Sequence, residues 1–527
     1  MKASDLFVRC LEAEGVQYIF GIPGEENIDL MDSLSRSSIK FILARHEQGA
    51  AFMADLYGRI TGKPGVCLAT LGPGATNLIT GVANAHLDRS PVIAITGQGS
   101  RNRLHKESHQ NVDTVALFKG ITKYNQQVLT SKIIPEVIRK SFEIATLDSP
   151  GAVHIQLPED VAQEQVEGKP LTIPARVHGQ ASDNIRKQAA KIIANAKNPI
   201  ILAGNGVIRG RAWNELQVLV EKANLPLVNT FMAKGVLPYD HPLNLYTVGG
   251  KPYDFELRPL HAADLVIAVG LDLVEYDPEI WNEDSTRSIL HIHSIPAETD
   301  VHFPVLLDVM GDLKYSLTQL SQVVTKRSEP VLHQGIRDRR KAELEGIPKQ
   351  SELFPRAVMR TLSEQLGKDT CVIADVGLHK VWVSRWYQPK SPDKTMIFNG
   401  FASMGGSLAG AIGAKLAKPE CDVVVVSGDG GFLMNVQELE TAHRLGLAFT
   451  IVVFNDQRYS LIEKKQRDAK LAVTDISFTN PNFELLAKSF GIAYRKALTP
   501  DEFAKHINSA VTSHKLNLIE VVLGDEQ

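Results

Sequence analysis

The run from Val423 to Ile462, VVVVSGDGGFLMNVQELETAHRLGLAFTIVVFNDQRYSLI, limits what this chain can fold into more than any other stretch. Four consecutive valines suit a strand buried on both faces, as parallel strands between helix layers are. Ser427-Gly428-Asp429-Gly430-Gly431 then turns the backbone, and Asp429 falls where the carboxyl end of a strand projects a side chain into a crevice. A helical pattern follows at Val436, Leu439, Ala442 and Leu445, and a second apolar strand, Thr450 to Phe454, ends at Asn455-Asp456. The unit reads as strand, helix, parallel strand, a crossover that brings two strand ends together. Asp429 and Asp456 can therefore converge on one hard cation, and Mg²⁺ takes one or two carboxylates plus phosphate oxygens. Glycine-flanked amides near a helix start suit a diphosphate. A bare GDG can equally be a tight turn beside an acidic loop.

Similar alternation fills the rest of the 527 residues, too many for one core and enough for about three domains at about 150 residues each. Apolar runs at Tyr18 to Phe20, Lys40 to Leu43, Val66 to Leu71, Val92 to Thr96 and Val153 to Leu157 alternate with helical segments. A second set opens at Pro199 to Leu202 and continues through Leu225 to Val228, Leu265 to Val269, Ser288 to His293 and Val305 to Val309. The third comprises Cys371 to Ala374, Met396 to Phe398, Val423 to Val426, Thr450 to Phe454 and Leu518 to Val522. The expected fold class is α/β, with three doubly wound parallel-sheet domains at residues 1–168, 183–325 and 352–527. Residues 167–176 read as a linker and the charged segment Thr325 to Gln350 as a solvated helix and linker. The first and third sets echo each other. Ala203-Gly204-Asn205-Gly206 follows the first strand of the second set, a place where a dinucleotide could bind, although the full GxGxxG is missing.

A net charge of −3 supplies no bulk attraction to nucleic acid or an anionic membrane. The four cysteines, Cys10, Cys67, Cys371 and Cys421, lack zinc spacing and read as thiols of a reducing compartment. The first residues carry acidic groups in an amphipathic pattern rather than a signal-peptide core, and no apolar run approaches the ~20 residues of a membrane span. A small partner and a cytosolic location are the expectation.

Asp456 follows Asp429 by 27 positions. Residues 428–456 thereby resemble the thiamine diphosphate signature, which opens with GDG and closes with an Asn pair at that spacing. The second Asn is Asp456 here, a change that resembles the catabolic branch of the acetolactate synthases. Other segments carry the same resemblance. LeuAlaArgHisGluGlnGlyAlaAlaPheMet, around Glu47, resembles the family's cofactor-activating segment, which implies that Glu47 bonds N1′ of the aminopyrimidine and promotes the imino tautomer that deprotonates C2. A carboxyl in an apolar pocket can share a proton with a weakly basic ring nitrogen near neutrality. Pro23-Gly24 and the Leu71 to Asn77 turn resemble the loops of the pyrimidine-side pocket, with Asn77 at its helix start. Asp375 to His379 resembles the diphosphate segment, with Leu378 and His379 as donors. Asn399 to Gly405 resembles the segment that props the cofactor in its bent form, with the Ala402 carbonyl accepting from the 4′-amino group and Met404 wedged between the rings.

By the same resemblance, Gly428, Asp429, Gly430, Gly431, Asp456 and Tyr459 face the cofactor, and Asp429, Asp456 and Arg458 hold Mg²⁺. His109-Gln110 and Lys123 match family segments, so Gln110 and Lys123 join Glu47 as expected catalytic residues, while Leu461 and Ile462 could line the acyl pocket. The family's reaction decarboxylates pyruvate on thiamine diphosphate and joins the hydroxyethyl carbanion to a second 2-ketoacid. Its plan puts the cofactor between subunits, which implies a homodimer or homotetramer. FAD is a further cofactor that the resemblance allows but no fingerprint here supports. Only a few residues follow Val522, which with Asp456 leans toward the catabolic branch. Another thiamine-dependent 2-ketoacid enzyme, such as sulfoacetaldehyde acetyltransferase, a decarboxylase or pyruvate oxidase, is the main alternative. A flavin or nicotinamide oxidoreductase is the alternative from a different class. Glyoxylate carboligase is disfavoured because its family replaces the activating glutamate, and Glu47 is present.

Overall fold

A computed structural model describes residues 1–175, 179–249, 258–328, 335–339, 342 and 354–523. Its strands form three six-stranded sheets in which every pairing is parallel. The first holds β1 (Tyr18–Gly21), β2 (Lys40–Leu43), β3 (Gly65–Ala69), β4 (Val92–Gln98), β5 (Tyr124–Gln127) and β6 (Ala152–Pro158), in the order β2-β1-β3-β4-β6-β5. The second holds β7 (Pro199–Ala203), β8 (Leu227–Asn229), β9 (Asn244–Thr247), β10 (Leu265–Val269), β11 (Ser288–His293) and β12 (Val305–Met310), in the order β12-β11-β10-β7-β8-β9. The third holds β13 (Cys371–Ala374), β14 (Thr395–Ile397), β15 (Val423–Gly428), β16 (Thr450–Asn455), β17 (Ala493–Ala497) and β18 (Asn517–Val522), in the order β14-β13-β15-β16-β18-β17. Counted within its own domain, the first and third sheets share the order 2-1-3-4-6-5, whereas the middle sheet has the dinucleotide-fold order 3-2-1-4-5-6.

The strands fall where the apolar runs predict them, with three exceptions: β5, β9 and β17 carry no long apolar run. Each is an edge strand of its sheet. β5 and all but the last residue of β17 are partly exposed, and β9 has only Leu245 and Tyr246 as adjacent apolar residues. Most of the charged segment Thr325 to Gln350, and Arg176 at the end of the expected linker, lie outside the described residues.

The outer domains share one apolar core within the chain. Helix Glu47–Thr61 crosses helix Gly406–Ala417, and glycines set the distance. A Cβ at Gly413 would land on the Met53 carbonyl, and one at Gly410 or Gly406 would come within 2.9 Å of Leu56 Cγ or 3.0 Å of Phe52 Cε1. Among the described residues, no helix is long and apolar enough to cross a membrane.

Candidate active site

Two half-sites form at the carboxyl ends of the outer sheets, where ligands of doubly wound folds bind. In the first domain, Glu47 is the opening residue of its helix, and His46 caps the turn by accepting from the Gln48 amide at 3.1 Å. The Glu47 side chain is buried and accepts from Asn77 Nδ2 at 2.9 Å. Asn77 lies in the first turn or so of helix Pro73–Leu87, and Gly74 ahead of it lets that helix approach, since a Cβ there would sit 3.4 Å from Glu47 Oε1. Gly24 packs its backbone against Thr70, leaving no room for a side chain, and Pro23-Gly24 thus lies beside the same turn. Gln110 is exposed, with a left-handed φ of 55°, and its backbone rests on Gly72: a Cβ there would be 2.7 Å from the Gln110 oxygen. The structure therefore brings Glu47, Asn77, Gly24 and Gln110 to one region.

Lys123 does not join them. It precedes β5, so it lies at the amino edge of the sheet, and its ammonium donates to the carbonyls of Leu147 and Ser149 at 2.7 and 2.6 Å. The expected catalytic role is corrected to a structural one, because the crevice is at the opposite strand ends.

In the third domain, Asp429 follows β15 and is nearly fully buried. Its Oδ1 accepts from the Gly430 amide at 2.8 Å, and its Oδ2 from the Gln457 amide at 2.8 Å and Asn480 Nδ2 at 2.7 Å. Asn480 also donates to Asn455 Oδ1 at 2.9 Å, tying the ends of β15 and β16. Asp456 accepts from the Ser460 hydroxyl. Burial pushes both carboxyls above their ordinary range, and Asp429 pushes Asp456 further. Two desolvated carboxylates, one of them raised further by its neighbour's charge, are a donor set a divalent cation would relieve. Among the described residues, no group of three or more His, Cys, Asp or Glu could hold a metal, so a cation here needs further oxygens, such as those of a diphosphate. The Arg458 guanidinium donates to the Asp456 carbonyl at 3.1 Å and faces Glu463, which leaves the Arg458 backbone oxygen as its only candidate ligand atom.

Facing this turn is His379, at the start of helix Leu378–Trp386. Burial lowers its pKa to about 4, and its Nε2 is buried without a hydrogen-bond partner among the described residues. A Cβ on Gly428 would be 3.1 Å from this ring, and one on Gly430 would be 2.8 Å from the Tyr459 ring. An orphaned ring nitrogen beside glycine backbone fits a diphosphate oxygen. Ala402 holds a left-handed φ of 55° and Met404 is half-buried. Behind them Asp375, fully buried, accepts from the Gly405 amide at 2.9 Å and the Ser407 hydroxyl at 2.6 Å. Sequence reasoning gave no role to Asp375 or Asn480. The Asp375 signal was its place at the end of β13, whereas Asn480 stands in no motif. Leu461 and Ile462 lie on helix Ser460–Asp468, none of whose residues is buried.

In the middle domain the glycine turn after β7 is taken up by packing and by a carboxylate. Gly204 and Gly206 press on Gly270, and the Asn205 amide donates to both oxygens of Glu275 at 2.9 Å. These contacts account for the turn's glycines without a nucleotide.

Three family models cover the chain: the N-terminal TPP binding domain of thiamine pyrophosphate enzymes over residues 1–117, their central domain over 186–320 and their C-terminal TPP binding domain over 375–521. The probable acetolactate synthase large subunit of Methanocaldococcus jannaschii is 35% identical over 99% of this chain and 92% of its own length. The acetolactate synthase of Bacillus subtilis is 35% identical over 99% of this chain and 93% of its own. The catabolic acetolactate synthase of Raoultella terrigena is 35% identical over 93% of this chain and 89% of its own. With the signature spacing, the paired half-sites and these full-length likenesses in agreement, the chain belongs to the acetolactate synthase family of thiamine diphosphate-dependent carboligases.

Proposed function

We propose that the chain joins two molecules of pyruvate, releasing carbon dioxide, in a site completed by a second copy of itself and by Mg²⁺. The observation that carries this reading is the separation of the two half-sites. Among the described residues, the hydrogen-bond partner of the Glu47 carboxylate is Asn77 of its own domain and those of Asp429 all belong to the third domain; the tie between the two domains beside Glu47 is Glu438, which accepts from the Arg45 and His46 amides at 3.1 and 3.0 Å, and it reaches neither carboxylate. Apolar side chains stand exposed beside each: Leu43 and Val112 in the first domain, Phe401, Met434 and Ile462 in the third. Such surface is expected to be covered by a partner, and a twofold dimer would set each half-site against the other.

In this reading, thiamine diphosphate supplies the electron sink that makes decarboxylation of a 2-ketoacid feasible. Asp429, Asp456 and the Arg458 carbonyl would hold the cation, and His379 Nε2 and the 378–379 amides would donate to the diphosphate. Glu47 holds a proton at the aminopyrimidine nitrogen, steered by Asn77. The Ala402 carbonyl and Met404 orient the rings, and Gln110 approaches the reacting carbon from the first domain. Asp456 supports a catabolic-type role, since a carboxylate replaces the amide at that place. Location in the cytoplasm accords with the free, buried thiols.

Co-expression of Glu47→Gln and Asp429→Asn chains, with different tags for isolating the hybrid, tests the shared site. Each variant alone should be nearly inactive, while statistical mixing should restore roughly a quarter of wild-type activity, because one site in each hybrid dimer keeps both native residues. No recovery in isolated hybrids would place each complete site within one chain.

A further inference from the structure

We propose that Asp88 is a positioning residue for the bound cofactor, acting through the strap 397–405 that carries Ala402 and Met404. The inference rests on the site reading above and extends it to a carboxylate that belongs to no thiamine motif. Asp88 ends helix Pro73–Leu87 in the first domain and is 1% exposed. Its Oδ1 accepts from the Gly400 amide at 2.5 Å and the Asn399 amide at 3.2 Å, both in the third domain. Arg59 pairs with it and donates through Nη1 to the Ile397 carbonyl at 3.1 Å, with its guanidinium 5.2 Å from the centre of the Phe398 ring.

Other groups hold the same few residues. Lys380 donates to the Phe398 carbonyl at 3.3 Å and to Asn399 Oδ1 at 3.2 Å. Asn399 Nδ2 donates to the Glu275 carbonyl at 3.1 Å, which brings in the middle domain. The other end of the strap is fixed by Asp375 through the Gly405 amide. Phe401 to Met404 therefore hang between two buried carboxylates, Asp88 and Asp375. Ala402 keeps its left-handed φ in that span, a conformation that persists for a non-glycine residue only when its surroundings over-determine it. Two backbone amides and a guanidinium are donors that demand the charged carboxylate, and burial, which pushes the Asp88 carboxyl up, is opposed by those partners. Exchanging that anion for an amide weakens the bonds from the two backbone amides and turns an NH2 toward the Arg59 guanidinium, which lets the strap shift, and a displacement on the order of 1 Å at a reacting centre can slow chemistry by about 10²-fold.

The test uses the full-length chain loaded with thiamine diphosphate and Mg²⁺. Asp88→Asn is compared with wild type by calorimetric affinity for thiamine diphosphate and by hydrogen–deuterium exchange at C2 of the bound cofactor, quenched in acid and read by NMR. The diphosphate contacts are untouched, so affinity should change less than about threefold, whereas exchange per bound cofactor should slow at least about tenfold, with KM for pyruvate little altered. Gly400→Ala presses on the clamp from the other side, since its Cβ would meet the Leu87 carbonyl at 2.7 Å and Asp88 Oδ1 at 3.0 Å, and it should give the same split. It serves if Asp88→Asn does not fold. Met404→Ala is run alongside. If Met404→Ala slows exchange and neither clamp variant does, the role of Asp88 is overturned and the site reading stands. If none of the three slows it, the strap reading itself fails.

Discussion

At the scale of single residues, the glycines of the GDGG turn answer to side chains as well as to a ligand. Gly428 faces the His379 ring, Gly430 the Tyr459 ring and Gly431 the Asp375 carboxyl, all at distances that a Cβ would crowd. Asn480 performs the least visible task, holding Asp429 Oδ2 and Asn455 Oδ1 together. Outer-shell partners of this kind typically set metal affinity by about 10–100-fold. Asn480→Ala should therefore raise the Mg²⁺ concentration for half-maximal activity by about tenfold or more, with kcat at saturating Mg²⁺ nearly restored; an unchanged Mg²⁺ titration would remove the assigned role. Asp429, Asp456 and Glu47 were legible in the sequence as candidates because strand ends and fixed spacing mark them. Asn480 was not, since it reaches the site from a loop after helix Ser460–Asp468 with no periodicity to announce it. Lys123 misled for a related reason: its segment matched, but without β5 in view nothing showed that it precedes a strand instead of following one.

At the scale of elements, interior strands were legible as apolar runs, and the edge strands β5, β9 and β17 were not, because a strand paired on one side needs less apolar surface. The crossing of helices Glu47–Thr61 and Gly406–Ala417 was likewise hidden, as its glycines look like ordinary helix weakness until the partner backbone is seen. Gly413 is the closest point, directly over the Met53 carbonyl. Gly413→Ala should lower stability by about 1–3 kcal/mol as the helices are forced apart, read as a lower midpoint in thermal or urea unfolding. A rise in the midpoint, as expected for Gly→Ala in an unconstrained helix, would show that the crossing is not tight. Since Glu47 opens one of these helices, the variant should also weaken activity.

At the scale of the molecule, the echo between the first and third domains is exact in strand order, and the middle domain differs. Where the three meet, Glu275 is buried between the Asn205 amide and the Thr230 hydroxyl, and its backbone oxygen receives Asn399 of the third domain. Burial and then Asp272 push its carboxyl from an ordinary 4.5 up to about 7. A raised folded-state pKa means that this contribution to stability is full below the unfolded value and is lost as pH rises through the folded one. Wild type should thus lose stability relative to Glu275→Gln between about pH 5 and pH 8, by at most about 3 kcal/mol, in unfolding midpoints taken across that range; a constant difference would contradict it. What the whole assembly does is tested most directly by its product. Purified chain with thiamine diphosphate, Mg²⁺ and ¹³C-labelled pyruvate as the sole ketoacid should yield acetolactate by NMR, converted to acetoin on acid treatment. Acetaldehyde or acetyl phosphate as the main product would contradict the carboligase assignment.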